Sequence, residues 1–157
     1  MCRSDGVANR SQVFLDLSAL LTGFKCVALT GTGMTDAYIG ALDDVLPAQL
    51  LDDLLAVYER LPVGSERDAA VAADILGDFK LGPVARNLIL LWYCGTWTAL
   101  PDQWRATYGT SPLDTDRVVS AQSYQAALQW VVAGAHPAGA RQQGYGAWAV
   151  APAGAGR

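Results

Sequence analysis

Apolar residues recur every three or four positions along most of the chain, which is the spacing of one face of an α-helix. The first such run contains Phe14, Leu17, Leu20 and Leu21. Gly23 follows at the position where a helix C-cap glycine is expected. The pattern predicts a first helix that ends before this glycine.

Two further helices are predicted between residues 35 and 61. The start of the segment 26–46 could form a strand, but Thr35 and Asp36 together favour a helix start. The helical period then continues through Tyr38, Ile39, Leu42, Val45 and Leu46. Pro47 suits the first turn of the next helix, whose apolar face would contain Leu50, Leu51, Leu54, Leu55 and Tyr58. A turn is expected at residues 62–65, and an alanine-rich helix at residues 68–76.

The most apolar stretch is residues 84–100, which holds Trp92, Tyr93 and Trp97. Pro83 would open a helix here and Pro101 would close it. Aromatic side chains supply large amphipathic contact areas. Such a helix is therefore expected to be covered, either by the rest of the domain or by another protein.

The remaining segments carry more aromatic residues. Residues 102–120 are predicted to form a long loop that contains Trp104 and Tyr108, and loops of this length are usually functional or docked. Residues 123–132 predict a last helix, with one buried face formed by Tyr124, Leu128, Val131 and Val132. After residue 137 the chain is rich in Gly and Ala, yet it contains Tyr145 and Trp148.

These patterns predict a mainly α fold: a single compact domain of about five or six helices, with a long aromatic loop and an extended C-terminal tail. The predicted boundaries are a flexible N-terminus at residues 1–12, a helical domain at 13–152 and a disordered tail at 153–157. A chain of 157 residues with 52% hydrophobic residues can build one sizeable core.

The net charge of −4 argues against binding of nucleic acid, which requires clustered Lys and Arg. Between residues 47 and 80 acidic residues outnumber basic ones. This excess indicates either a solvated helix face or an acidic surface that docks a partner. No apolar stretch reaches the roughly 20 residues of a membrane span. The first dozen residues contain neither a twin arginine nor the apolar core of an export signal.

The sequence offers little catalytic chemistry. Cys2, Cys26 and Cys94 form no CxxC pair, so a metal site is not expected. Small buried side chains are the ordinary interpretation of Cys26 and Cys94. A disulfide between Cys26 and Cys94 is an alternative in an oxidising compartment. Gly31-Thr32-Gly33 lacks the third glycine of a dinucleotide-binding loop and is interpreted as a turn.

Other polar residues have ordinary structural interpretations. The pairs Asp43-Asp44 and Asp52-Asp53 are expected on solvated surface, because adjacent residues on a helix point in different directions. His136 could act as a base only beside a nucleophile, and no GxSxG motif supplies one. Arg86, within an apolar helix, is expected to pair with a carboxylate or carbonyls, or else to contact a partner. No catalytic, metal-binding or cofactor-binding residue is predicted in this chain.

The aromatic residues are the remaining candidates for function. Burial in the domain's own core would explain Trp92 and Trp130 well, but it explains residues in loops, at a helix end or in the tail less well. We therefore predict a partner interface built from these aromatics. The candidate interface residues are Trp92, Tyr93, Trp97, Trp104, Tyr108, Tyr124, Trp130, Tyr145 and Trp148.

Three segments carry a resemblance to a known family: FLDLSALLTG at residues 14–23, LILLWYCGTW at 88–97, and residues 123–152. Together they resemble the small subunit of membrane-bound FAD-dependent sugar and polyol dehydrogenases, of the sorbitol, fructose and glucose dehydrogenase type. The similarity extends over residues 14–152, and its motifs are moderately specific.

The resemblance implies a three-part periplasmic complex at the membrane. In that family a large flavoprotein of the glucose–methanol–choline type holds FAD and oxidises the sugar, and a multihaem cytochrome c passes the electrons on. The small subunit holds no cofactor; it stabilises the flavoprotein and helps to export it, usually through its own twin-arginine signal. This sequence departs from the family in showing no such signal.

Two interpretations of a different class remain open. One is a stand-alone small redox protein or enzyme that uses Cys26, Cys94 or His136; bound flavin, haem or iron–sulfur would make it coloured. The other is a structural module whose aromatic patches pair in a symmetric dimer.

Overall fold

Helices dominate the described part of the chain, residues 9–135 of the computed structural model. The helices are α1 (Arg10–Thr22), α2 (Cys26–Gly31), α3 (Thr35–Val45), α4 (Leu50–Arg60), α5 (Arg67–Ala70), α6 (Gly82–Cys94), α7 (Asp102–Tyr108), α8 (Ala121–Ala126) and α9 (Leu128–Val132). A π-helical segment, Val71–Leu76, continues α5. Two short strands, β1 (Thr96–Trp97) and β2 (Arg117–Val118), pair antiparallel. The prediction of a mainly α fold is confirmed.

Helix α1 has the ends that its sequence predicts. The Asn9 side chain accepts a hydrogen bond from the Gln12 backbone N–H at 2.9 Å, which satisfies one of the free donors at the helix start. Gly23 follows the helix with a φ of 76°, and its N–H donates to the Ala19 carbonyl. Phe14 and Leu17 are fully buried. Helix α1 also contacts α2, α3, α4 and α6, and so lies at the centre of the packing.

The segment between α1 and α4 corrects two predictions. The start of residues 26–46 is helix α2 and not a strand. Helix α3 begins at Thr35 with Asp36 in its first turn, as predicted. Pro47, however, lies before α4, whose first residue is Leu50. Gln49 occupies the N-cap position with a φ of 69°, so the chain turns sharply there before the helix starts.

The predicted aromatic helix is shorter than its apolar sequence suggests. Pro83 lies in the first turn of α6, as expected, but the helix ends at Cys94 and not at Pro101. Gly95 ends it in the left-handed conformation, with a φ of 69°. Trp97 therefore lies on β1 and not on the helix that carries Trp92. Hydropathy alone could not reveal this change of backbone direction.

The C-terminal third contains more regular structure than predicted. The expected loop at residues 102–120 includes helix α7 and strand β2. The single helix expected at residues 123–132 is two short helices, because the chain is extended at Ala127, with a ψ of 130°. Ser120 and Ser123 form a reciprocal capping box that begins α8.

The buried side chains of all these segments form one hydrophobic core. It contains leucines from α1, α3, α4 and α6 together with Trp92, Trp97 and Trp104. Gly95 lies where the C-terminal third packs on α6, and a Cβ there would lie 2.5 Å from the backbone of Ser123. The Gly95 carbonyl accepts hydrogen bonds from the Val119 N–H at 3.0 Å and from the Ser123 hydroxyl at 2.9 Å. This contact attaches β2 and α8 to the end of α6.

Candidate functional site

Trp92 is a core residue. It is 1% exposed and lies between Phe14 of α1, at 6.3 Å between ring centroids, and Tyr38 of α3, at 4.9 Å in an edge-to-face arrangement. Burial raises the pKa of the Tyr38 phenol. The rings therefore join three helices from within, and this tryptophan presents no surface to a partner.

Trp97 is also buried, at 1% exposed, and its indole N–H donates to the Asp114 carboxylate at 2.8 Å. Asp114 is 3% exposed and also accepts from the Leu100 N–H at 3.0 Å. Arg105 Nε lies 3.8 Å from the other carboxylate oxygen. Asp114 was not among the candidate residues, and nothing in its sequence neighbourhood distinguishes it from a surface aspartate.

Trp104 is fully buried by its position on α7. Its indole N–H donates to the Lys80 carbonyl at 2.8 Å, and its ring lies 5.0 Å from that of Tyr108. Tyr108 in turn lies 6.2 Å from Phe79, which is 51% exposed. A row of three rings thus extends from the core to the surface.

The interface prediction is corrected for three residues. Trp92, Trp97 and Trp104 are buried within this chain's own core and leave the set of candidate interface residues. The physical reason is that tertiary contacts fill both sides of each ring and satisfy the indole N–H of Trp97 and of Trp104. Tyr93 is half-buried, and its hydroxyl donates to the Thr22 carbonyl at 2.8 Å. It packs edge-to-face on Phe24.

Tyr124 and Trp130 form a surface pair at the end of the described chain. Their rings lie 5.2 Å apart and nearly perpendicular, and the Trp130 indole N–H donates to the Tyr124 carbonyl at 2.7 Å. Both side chains are half-buried. Val131 and Val132 follow directly and are 70% and 65% exposed, which corrects the prediction that they lie on the buried face of the last helix with Leu128. We call Tyr124, Trp130, Val131 and Val132 the C-terminal patch. Tyr145, Trp148 and His136 lie outside the described residues.

The cysteines do not pair as the sequence allowed. Cys26 is disulfide-bonded, whereas Cys94 is a free, half-buried thiol, so the two do not bond to each other. Among residues 9–135, no group of three His, Cys, Asp or Glu side chains could hold a metal ion. None of the helices in that range has the length and hydropathy that crossing a membrane requires.

Thr32 and Gly33 form the turn between α2 and α3, directly after Gly31 ends α2. Gly33 adopts a φ of 71°, and helix α2 precedes the turn where a dinucleotide-binding loop would need a strand. This geometry supports the interpretation of Gly33 as a turn residue, whereas Gly31 lies in the last turn of α2.

Three of the four paired aspartates form ion pairs at the surface. Arg10 of α1 donates to both oxygens of Asp43 on α3 and to Asp52 on α4, each at 2.6 Å. These hydrogen bonds, first that to Asp43, raise the pKa of Arg10 above its ordinary range. Lys80 donates to Asp53 at 2.6 Å, which raises the pKa of Lys80. The carboxylates thus hold α1, α3, α4 and the turn before α6 together.

Arg86 pairs with a backbone carbonyl, which is one of the two roles expected from the sequence. Its guanidinium donates to the Leu76 carbonyl at 2.8 Å. That carbonyl lies at the end of the π-helical segment, where backbone acceptors lack partners within the helix. Arg86 therefore ties the start of α6 to the preceding segment.

No protein-family model, no curated protein and no solved structure matches the chain. The resemblance to the dehydrogenase small subunits is carried by the sequence motifs alone. Within the described residues, two surfaces retain the character predicted for a partner interface. One is Tyr108 beside the exposed Phe79. The other is the C-terminal patch, where two exposed valines follow Trp130 in the chain.

Proposed function

We propose that this chain is a non-catalytic accessory subunit that binds and stabilises an FAD-dependent sugar or polyol dehydrogenase of the glucose–methanol–choline type. FAD belongs to that partner, and a multihaem cytochrome c completes the complex. The observation that carries the proposal is the C-terminal patch, in which Val131 and Val132 directly follow Trp130 in the chain and expose 70% and 65% of their surface. Adjacent exposed aliphatic and aromatic side chains are typical of surfaces that another protein covers.

The proposed location is the periplasm. The disulfide bond of Cys26 supports it, because disulfides persist in oxidising compartments and are rare in the cytosol. The complex, and not this chain, would provide the association with the membrane. A role in export of the flavoprotein belongs to the same proposal and rests on the resemblance.

The test is co-expression with a candidate flavoprotein, followed by pull-down and an assay of sugar oxidation with an artificial electron acceptor. The double variant Val131→Asp/Val132→Asp should reduce the recovered complex at least about tenfold, since charges would be buried at the interface. Val27→Asp is the matched control, because Val27 is a valine on α2 that is 76% exposed. It should leave recovery unchanged.

The outcomes separate the alternatives. A flavoprotein that is soluble and active only with this chain supports the proposal. A flavoprotein that ignores the chain contradicts it. If the chain alone has the mass of a dimer in dilute solution, and the double variant makes it monomeric, the C-terminal patch serves self-association instead.

A further inference from the structure

A second feature of the molecule is a cleft of about 240 Å³ between α1, the end of α4 and the start of α5. Among residues 9–135, three charged side chains line its wall: Asp16 from α1, Glu59 from α4 and Arg67 from α5. Leu20 and Leu61 supply part of its apolar surface. It involves none of the C-terminal patch and does not depend on the proposed function.

Arg67 is held in an orientation suited to an anion. Its guanidinium carbon lies 5.3 Å from the centre of the Tyr58 ring, within the distance of a cation–π contact. Its Nε is buried and has no hydrogen-bond acceptor among residues 9–135. Because Nε is closed to solvent, the donors that a carboxylate oxygen in the cleft can reach are the two Nη groups, which form no hydrogen bond within residues 9–135.

The two carboxylates determine which anion can enter. Within the described residues, Asp16 and Glu59 form no ion pair with Arg67 or with any other cation. Asp16 Oδ1 accepts a long hydrogen bond from Gln12 at 3.4 Å and lies 3.5 Å from the sulfur of Cys26, which also lines the cleft. Two negative charges would repel a simple anion drawn to one arginine. A ligand with a carboxylate and an ammonium group can pair with the arginine and with the two carboxylates. An apolar side chain on the same ligand can pack against Leu20 and Leu61.

We propose that this cleft binds a small zwitterion of the amino-acid class with an apolar side chain. The ligand's carboxylate accepts from Arg67, and its ammonium group lies toward Asp16 and Glu59. Binding requires no covalent step, and the chain alone is sufficient for it.

The probe is L-leucine, titrated into the purified full-length chain and followed by the NMR signal of the Arg67 Nε–H and by calorimetry. The expected dissociation constant is about a millimolar or tighter, within the limits for so few ligand atoms. Two analogues separate the charges: 4-methylpentanoate lacks the ammonium group, and 3-methylbutylamine lacks the carboxylate. Each should bind at least about tenfold more weakly, because one charged hydrogen-bond partner is lost.

Arg67→Gln should abolish binding, and Arg67→Lys should weaken it while the fold, checked by circular dichroism, persists. Arg60→Gln is the control, since Arg60 is exposed in the last turn of α4 and does not line the cleft. It should bind leucine like the parent chain. The proposal is overturned if leucine leaves the Arg67 signal unmoved, if 4-methylpentanoate binds as tightly as leucine, or if folded Arg67→Gln binds normally. None of these results bears on binding of the flavoprotein.

Discussion

The indole N–H of Trp97 donates to the carboxylate of Asp114 at 2.8 Å, and the two residues are 1% and 3% exposed. The same oxygen of Asp114 accepts from the Leu100 N–H at 3.0 Å. This contact fixes the segment after α7 over β1. It also places Trp97, which the sequence predicted at a partner interface, in the core.

The first prediction concerns Asp114. Asp114→Ala should lower the free energy of unfolding by about 2–4 kcal/mol, since two buried N–H donors lose their acceptor. Asp114→Asn should cost less, because an amide oxygen can still accept from both. Denaturant unfolding followed by tryptophan fluorescence measures the difference. Asp116→Ala is a nearby control, because the Asp116 carboxylate bonds an exposed N–H. An Asp114→Ala variant as stable as the control would contradict the buried hydrogen-bond pair.

The second prediction concerns Gly95. Gly95→Ala should destabilise the chain by more than about 2 kcal/mol, because φ is 69° and the new Cβ would lie 2.5 Å from the Ser123 backbone. Gly33→Ala is the matched control: its φ is 71°, but nothing lies within 4 Å of the added Cβ, so only conformational strain of about 1 kcal/mol is expected. Thermal unfolding of both variants compares the steric and conformational costs. Equal destabilisation would show that α8 does not pack against Gly95.

The third prediction concerns pH. Burial raises the pKa of Tyr38, so the unfolded chain releases this proton near the ordinary tyrosine pKa of about 10, while the folded chain retains it. The Tyr38 contribution to stability is therefore complete below that pH and is lost as the pH rises above it. Tyr38→Phe should show a smaller loss of stability between neutral and alkaline pH than the parent chain. Parallel pH profiles for the two proteins would contradict the burial of an unionised phenol.

The fourth prediction concerns the ion pairs of Arg10. Its side chain is 37% exposed, so solvent screens its bonds to Asp43 and Asp52. Arg10→Ala should therefore cost only about 1 kcal/mol. About 1 M salt, where the Debye length is about 3 Å, should reduce that cost further. Lys25→Ala is the control, because Lys25 is exposed and forms no ion pair within the described chain. A salt-independent loss of several kcal/mol would indicate a buried network instead.

Local sequence signals predicted those parts of the fold that depend on neighbouring residues. The period of Phe14 and Leu17, with Gly23 beyond them, located α1 because side chains three or four residues apart share a face and a C-cap glycine tolerates positive φ. The apolar face of α4 was found for the same reason. Pro83 likewise located the start of α6.

The candidate site could be predicted only in part. Tyr124 and Trp130 were predicted as interface residues because aromatic side chains supply large contact areas, and the structure leaves both half-buried. The cleft charges Asp16, Glu59 and Arg67 were not identified, because they come from different helices and meet only after folding. The sequence around a single charged residue on an amphipathic helix does not show which residues of other helices will lie beside it.

The sequence by itself determined that this protein is mainly helical and where several of its helices begin and end, because periodicity and capping act within a few residues. Only the tertiary structure decided which aromatics are core and which remain at the surface. Trp97 and Trp104 are buried by partners 17 and 24 residues away, Asp114 and the Lys80 carbonyl. Burial of a side chain depends on its contacts with residues that are distant in the sequence, and the local sequence pattern does not specify those contacts.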